Sequence, residues 1–162
     1  MRLYLVRHAD AVPKAQNPQR PLSKHGLGEV RLMAQVLSAI YVSVDEVWHS
    51  PKARSKQTAE LLMAAIRCRR GLLERDDINP NSPLRKVLRD IRRAGGDVMI
   101  VGHEPHLGRL ASQLLTGTKG AQTVEMVKAG VVCLQTISPR MWQVAWAITP
   151  QLMGIILGRT TT

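Results

Sequence analysis

Leu3-Tyr4-Leu5-Val6-Arg7-His8-Ala9-Asp10-Ala11 is an apolar run that ends abruptly in an arginine and a histidine. Its first four residues read as a strand buried on both faces, the pattern of a parallel sheet. Such a strand delivers whatever follows its last apolar residue to the carboxyl edge, where open α/β folds bind their ligands. Arg7 and His8 at that edge suit a phosphate clamp beside a nucleophile.

Working outward, Arg2 to Val6 is the first expected strand and Pro13 to Pro21 a polar, Pro-containing loop. Ser23 is placed to cap a helix whose Val30, Met33, Ala34, Leu37 and Ile40 recur at helical spacing. Val44 to His49 reads as a second strand. Ser50-Pro51 has the form of an N-cap with proline at the first helical position, opening a helix to about Ile66. A short Leu72-Leu73 strand, a loop from Arg75 to Asn81 and a second cap-and-proline pair, Ser82-Pro83, follow. Leu84, Val87, Leu88 and Ile91 give the next helix its inward face, and Gly95-Gly96 ends it.

Asp97 to Val101 is another apolar strand, running into Gly102-His103. Pro105 starts a helix with Leu107, Leu110, Ala111 and Leu114 on one side. Gly130 to Ile137 and Met141 to Ile148 form a closing hairpin, in which Trp142 and Trp146, four apart, are expected on one face in the core. Strand–helix alternation and then a hairpin predicts an α/β fold: a three-layer sandwich with a mixed, mostly parallel sheet flanked by helices. Residues 1–150 are expected to form one domain. The tail 151–162 has enough apolar residues to dock on it or at a subunit interface.

The length of 162 residues suits one domain with a real core, and 44% hydrophobic content fits a globular protein. The amino terminus is a charged strand pattern rather than a signal peptide. Leu152 to Leu157 falls short of the about 20 residues that cross a bilayer. Cys68 and Cys133 lie far apart in no metal-like spacing; reduced thiols in a cytoplasmic protein are expected, and a disulfide stays open. The net charge of +11 fits a solvated basic surface, attraction of an acidic phosphorylated partner, or nucleic acid. Only 3% aromatic residues, with no Phe, leave few stacking platforms and argue against nucleic acid.

Three strand ends carry the chemistry: Arg7-His8, then Ser50-Pro51-Lys52-Ala53-Arg54 one helical turn onward, then Gly102-His103-Glu104-Pro105. If those strands are parallel neighbours, two arginines and two histidines converge. The planar guanidinium fork pairs with two phosphoryl oxygens. A neutral imidazole attacks phosphorus directly, and a second one, protonated, holds an oxygen as charge redistributes. Taken singly, His8 reads equally as a strand-end histidine satisfied by backbone, His103 as a cap and Arg54 as an exposed helix arginine. His25, His49 and His106 read as surface or capping residues, and Asp10 either orients His8 or ends the loop.

The blocks together are more specific. Leu5-Val6-Arg7-His8-Ala9, Arg20-Pro21-Leu22-Ser23 with Gly26, Ser50 to Glu60, and Val101-Gly102-His103-Glu104-Pro105 stand in the order of the histidine phosphatase superfamily, which includes the phosphoglycerate mutases. The chain resembles that family over residues 2 to 115, and its small SixA-type phosphohistidine phosphatase branch in particular. The resemblance implies a phosphoglycerate mutase-like fold and a metal-independent hydrolase without cofactor. His8 would become phosphohistidine, Arg7 and Arg54 would bind the phosphoryl oxygens, and His103 would share that pocket.

Larger members that cleave phosphate esters place a carboxylate between the second helix and the fourth strand to protonate the leaving oxygen. Glu74, Asp76 and Asp77 occupy that region in no matching motif; Glu74 and Asp77 read more readily as loop solubility residues, with either as an acid left open. A missing acid favours a P–N substrate, since an imidazole can be protonated before it departs. The expected substrate is therefore phosphohistidine of a signalling or phosphotransfer protein, a histidine phosphotransfer-type domain, met at an open groove. Small phosphate esters or sugar phosphates are the alternative, and a phosphate- or nucleic-acid-binding module with little catalysis is the rival of another class.

Overall fold

The computed structural model describes residues 1–138 and 141–158. Strand β1 (Arg2–Arg7) lies inside a six-stranded sheet. Around it are β3 (Glu46–His49), β5 (Leu72–Glu74), β6 (Val98–Gly102), β7 (Val131–Ser138) and β8 (Met141–Ile148), in the order β5-β3-β6-β1-β7-β8. The first four of that order run parallel, and β7 and β8 are antiparallel. The mixed, mostly parallel sheet expected from the sequence is the one found.

Helices cover both faces. On one side are α1 (Lys24–Ala39), α2 (Ala53–Met63) and α5 (Pro150–Ile156); on the other are α3 (Leu84–Arg93) and α4 (His106–Thr116). The pleat sorts β1 between the two cores. Tyr4 and Val6 pack with Val30, Met33 and Leu37 of α1, whereas Leu3 and Leu5 pack with Val87 and Ile91 of α3 and Leu107 of α4. Both faces are dry, so the strand is apolar at every position from Leu3 to Val6.

Local chemistry corrects several sequence-based boundaries. The stretch from Val44 to His49 is broken at Asp45. Its N–H donates to Asp97 O at 2.7 Å and its carboxylate accepts from Asp97 N at 3.0 Å, so Ser43–Val44 (β2) leaves the sheet and pairs with Arg67–Cys68 (β4). Neither Ser-Pro pair caps its helix: α2 begins after Lys52 and α3 after Pro83, both without a side-chain cap bond. Ser23 does cap α1, accepting from Gly26 N at 3.0 Å, and α2 ends at Met63 rather than Ile66. Ile40 is 47% exposed, because α1 stops at Ala39 and no longer holds it on the apolar face.

Trp142 and Trp146 fall on opposite faces. Cys133 pairs with Trp146 and Leu134 with Val144, so a bulge leaves one extra residue in β8 and reverses the alternation. Trp146 packs on Tyr4, 5.9 Å between ring centres, while Trp142 packs in the other core. The described part of the tail is α5, capped by Thr149 and packed through Met153, with Ile155 and Ile156 exposed. No described helix is long and apolar enough to cross a membrane.

Candidate active site

Strands β3, β6 and β1 are adjacent and parallel, with Arg7 beside Gly102 and Val101 beside His49. The next residue of each strand therefore emerges at the same edge: His8, His103 and Ser50. Three lines of backbone and side-chain bonding fix this edge. His8 N donates to Gly102 O at 3.0 Å, Ala129 N donates to Arg7 O at 3.0 Å, and Ser55 Oγ donates to Val101 O at 2.8 Å.

His8 is 8% exposed. Its Nδ1 lies 2.7 Å from Ala9 O, and a carbonyl only accepts, so Nδ1 carries the ring proton. Arg54 Nε donates to His8 Nε2 at 3.1 Å, which places the lone pair on Nε2. Burial, aided by the positive charges of Arg54, Arg7 and Lys128, brings the His8 pKa down to about 4. At neutral pH the ring is thus an uncharged base with its free electron pair turned toward a guanidinium.

The His103 ring stands 4.8 Å from that of His8, tilted by 59°. Burial and the neighbouring His8 and Arg54 push its pKa down to about 3, so it too is neutral before any anion arrives. Its Nε2 is 2.5 Å from Ser50 Oγ, and its buried Nδ1 has no partner among the described residues. Arg7 donates from Nη1 to Met126 O at 2.9 Å, while its buried Nε is also without a partner among the described residues. Buried polar atoms are nearly always bonded, so these two, on residues next to His8 in chain or in space, suit the oxygens of a ligand. Lys52 and Arg20 add positive charge, and burial together with Arg20 lowers the Arg54 pKa from its ordinary value. Clustered cationic groups around a polar edge define an anion site.

Arg7, His8, Arg54 and His103 thus come together as their spacing predicts. Two residues of the cluster escaped sequence reading. Ser50 was expected to cap a helix and instead meets His103. Thr58, fully buried, accepts from Ala9 N at 3.3 Å and donates to Arg54 O at 2.7 Å, tying the loop after His8 to α2. The signal for Ser50 was positional: it follows a strand end as His8 and His103 do.

Other expectations shift. Asp10 does not touch His8; it accepts from Lys128 Nζ at 2.6 Å and Ser23 Oγ at 2.7 Å, clasping the loop. Those bonds hold its pKa below the usual carboxylate range. Gly26 is required beside it, because a Cβ there would stand 2.1 Å from Asp10 O. His25 is exposed, but His49 and His106 are buried, packed beneath the edge rather than on the surface. Asp77 is no solubility residue: with Asp90 it brackets Arg75, at 2.7 and 2.6 Å, and Arg75 stacks 4.3 Å over Trp48. Glu74 and Asp76 are exposed. Cys68 and Cys133 are free thiols. Among the described residues no group of three His, Cys, Asp or Glu is placed to hold a metal.

An anion site at the carboxyl edge of a mostly parallel sheet, with an uncharged histidine at its centre, defines a phosphoryl-handling α/β protein. Comparison with known proteins agrees. Residues 3–76 match the model of the histidine phosphatase superfamily, branch 1. An uncharacterized protein of Picosynechococcus is 30% identical over 149 residues, 87% of this chain and 88% of that one. Phosphohistidine phosphatase SixA of Escherichia coli is 29% identical over 122 residues, 72% of this chain and 76% of its own. The structure of the protein histidine phosphatase SixA with tungstate has the same fold, with a TM-score of 0.81 at 24% identity, covering 93% of this chain and 97% of that one. The alpha-ribazole phosphatase of Shigella flexneri shares the fold at a TM-score of 0.70 and 15% identity, over 93% and 97% of the two chains. This chain belongs to the histidine phosphatase superfamily.

Proposed function

We propose that the protein removes phosphate from phosphohistidine of a phosphotransfer or signalling protein, through a phosphoryl group carried on His8. The observation that carries this reading is the state of His8: Nδ1–H fixed on Ala9 O, and an unprotonated Nε2 beside Arg54. Attack of Nε2 on phosphorus forms the P–N bond to His8 while the bond to the leaving group breaks. Water then attacks phospho-His8, the P–N bond breaks, and phosphate leaves.

Each neighbour has a role in that cycle. Arg54 and Arg7, whose Nε lacks a partner, hold the equatorial oxygens. With Ser50 donating to His103 Nε2, the ring proton of neutral His103 sits on Nδ1, the atom with no partner, and donates to a phosphoryl oxygen. The incoming negative charge also raises the pKa of His103 and favours its protonated form as charge builds. No step calls for a metal. The phosphohistidine substrate is supported by the relative of that name at 29% identity. The alpha-ribazole phosphatase of the same fold supports small phosphate esters as the second reading.

The test compares phosphate release from a histidine-phosphorylated phosphotransfer domain, phosphoglycerate and a sugar phosphate, using wild type and His8→Ala. Preference for the first, with acid-labile label trapped on His8, is expected. Wild-type turnover by His8→Ala overturns the mechanism, and preference for the esters overturns the substrate.

A further inference from the structure

The net charge of +11 is not explained by the phosphoryl cluster, and one dense run of it lies elsewhere. Helix α3 carries Arg85, Lys86, Arg89, Arg92 and Arg93, with Asp90 as its one carboxylate. Asp90 is already engaged by Arg75 at 2.6 Å and by Arg89 at 3.0 Å. Arg85, Lys86, Arg92 and Arg93 are exposed and pair with no carboxylate among the described residues. At 3.6 residues per turn, Arg85, Arg89 and Arg92 form one stripe beside Leu88, and Lys86 and Arg93 form the next. A charged helix face is most often simply solvated, but this one borders an apolar groove.

Leu88 and Arg92 line a groove of 860 Å³ together with Leu114 and Leu115 of α4 and Met141 and Trp142 at the start of β8. The fold leaves these apolar side chains incompletely covered: Met141 is 59% exposed, and Leu88, Leu114, Leu115 and Trp142 are half-buried. Among the described residues no carboxylate lines the groove. It lies away from the phosphoryl cluster, because α4 starts three residues after His103 and meets the groove with its last turn, about 15 Å farther along its axis. An apolar floor beside unpaired cations fits an occupant that is apolar on one side and acidic on the other. A second copy of the chain does not supply that: both copies carry +11, and the exposed apolar residues of α5 stand on a helix without an acidic residue. Nucleic acid would use the cations and leave the floor uncovered. The stripe from Arg85 to Arg92 spans about 10 Å, or two turns, the reach of apolar side chains at i, i+3 or i+4, and i+7 of a partner helix.

We propose that the groove between α3, α4 and the start of β8 is a docking site for an acidic amphipathic helix of a protein partner. The apolar side of that helix covers Leu88, Leu115, Met141 and Trp142, and its flanking carboxylates meet Arg85 and Arg92. Apolar burial supplies most of the affinity, while the charges set the orientation and speed the encounter. Docking there leaves the edge carrying His8 open to a phosphorylated substrate. The inference therefore goes beyond the phosphatase reading and stands whatever chemistry His8 performs.

The test is fluorescence anisotropy of a labelled synthetic helix mixed with the full chain. The probe has about 14 residues, with Leu at i, i+3 or i+4, and i+7 and Glu at most other positions. Saturable binding is expected, weakened about tenfold or more by Arg85→Glu with Arg92→Glu, and by Met141→Glu. Arg85→Gln with Arg92→Gln, which removes charge without reversing it, should fall between. Arg31→Glu makes the same charge change on α1, across the sheet, and should alter binding by less than about threefold, since distant charges are screened. Thermal unfolding checks that each variant is folded. Amide chemical shifts should move at Leu88, Leu114, Leu115 and Trp142 and stay still at His8 and Arg54. A probe with Ser in place of every Leu should bind at least about tenfold more weakly. Equal binding of the Ser probe, unchanged binding in the groove variants, or shifts centred on His8 overturn the proposal. Tighter binding of a duplex oligonucleotide than of the probe also overturns it, in favour of a polyanion surface.

Discussion

Thr58 offers the sharpest separation of packing from positioning in this site. Its hydroxyl is the only described partner of Ala9 N and also donates to Arg54 O, while its methyl fills a fully buried space. Thr58→Val keeps the shape and removes both bonds. Arg54 O is also within the hydrogen-bonding ladder of α2, so its loss is cheap. Ala9 is 0% exposed, and leaving its N–H unpaired should cost about 1–3 kcal/mol. Thr58→Ser does the reverse: both bonds survive and one methyl is lost, at about 1 kcal/mol.

Stability alone therefore distinguishes the two variants poorly, and activity should distinguish them well. Ala9 O fixes the proton on His8 Nδ1, and Arg54 contacts His8 Nε2, so freeing Ala9 from α2 disturbs both ends of the proposed nucleophile. Misplacement by about 1 Å costs on the order of 10²-fold in rate. Rapid-quench measurement of phosphoryl transfer to His8, with urea unfolding in parallel, should find Thr58→Val slowed by about that factor and Thr58→Ser near wild type. If Ser is as slow as Val, activity follows the methyl, and the hydroxyl tether explains nothing.

The histidines predict a pH dependence with a definite sign. In the proposed reaction only neutral His8 takes the phosphoryl group, so the acid limb of the transfer rate should lie near pH 4, the rate being insensitive to His8 titration above about pH 5. His8 and His106, both at about 4, and His103, at about 3, bind protons more weakly folded than unfolded, where the value is 6.5. Their stabilising contribution is therefore full above pH 6.5 and is lost as pH falls toward 4, by about 1.4 kcal/mol per group per pH unit at most. Urea midpoints equal at pH 7 and pH 5 would contradict this. Gly26→Ala puts a methyl against the Asp10 carbonyl; it should destabilise the fold by more than about 2 kcal/mol and slow phosphoryl transfer, whereas Gly28→Ala, with open space, should do neither.

The fold was legible because its strands obey one simple rule. A segment dry on both faces must be apolar throughout, and Leu3 to Val6 of β1, β6 and the start of β7 are. Arg7, His8 and His103 were legible for the same reason: polar residues following such a run can only be at its end. The hairpin was legible in extent but not in facing, since the bulge between Trp142 and Trp146 arises from pairing geometry that no spacing rule contains. The break at Asp45 likewise depends on Asp97, fifty-two positions away in the chain.

Ser50 shows why a correct local rule chose the wrong partner. A serine before a proline is well suited to satisfy the first N–H groups of a helix, but here Ser50 Oγ reaches only Lys52 N, just ahead of α2, at 3.4 Å. His103 Nε2 is buried, and a buried nitrogen without a bond costs about 1–3 kcal/mol, more than the about 1 kcal/mol a typical cap contributes. The hydroxyl goes where water cannot. Sequence rules count the partners within a few residues of a side chain. At a site assembled from three strand ends, the decisive partners are those brought in from the other two.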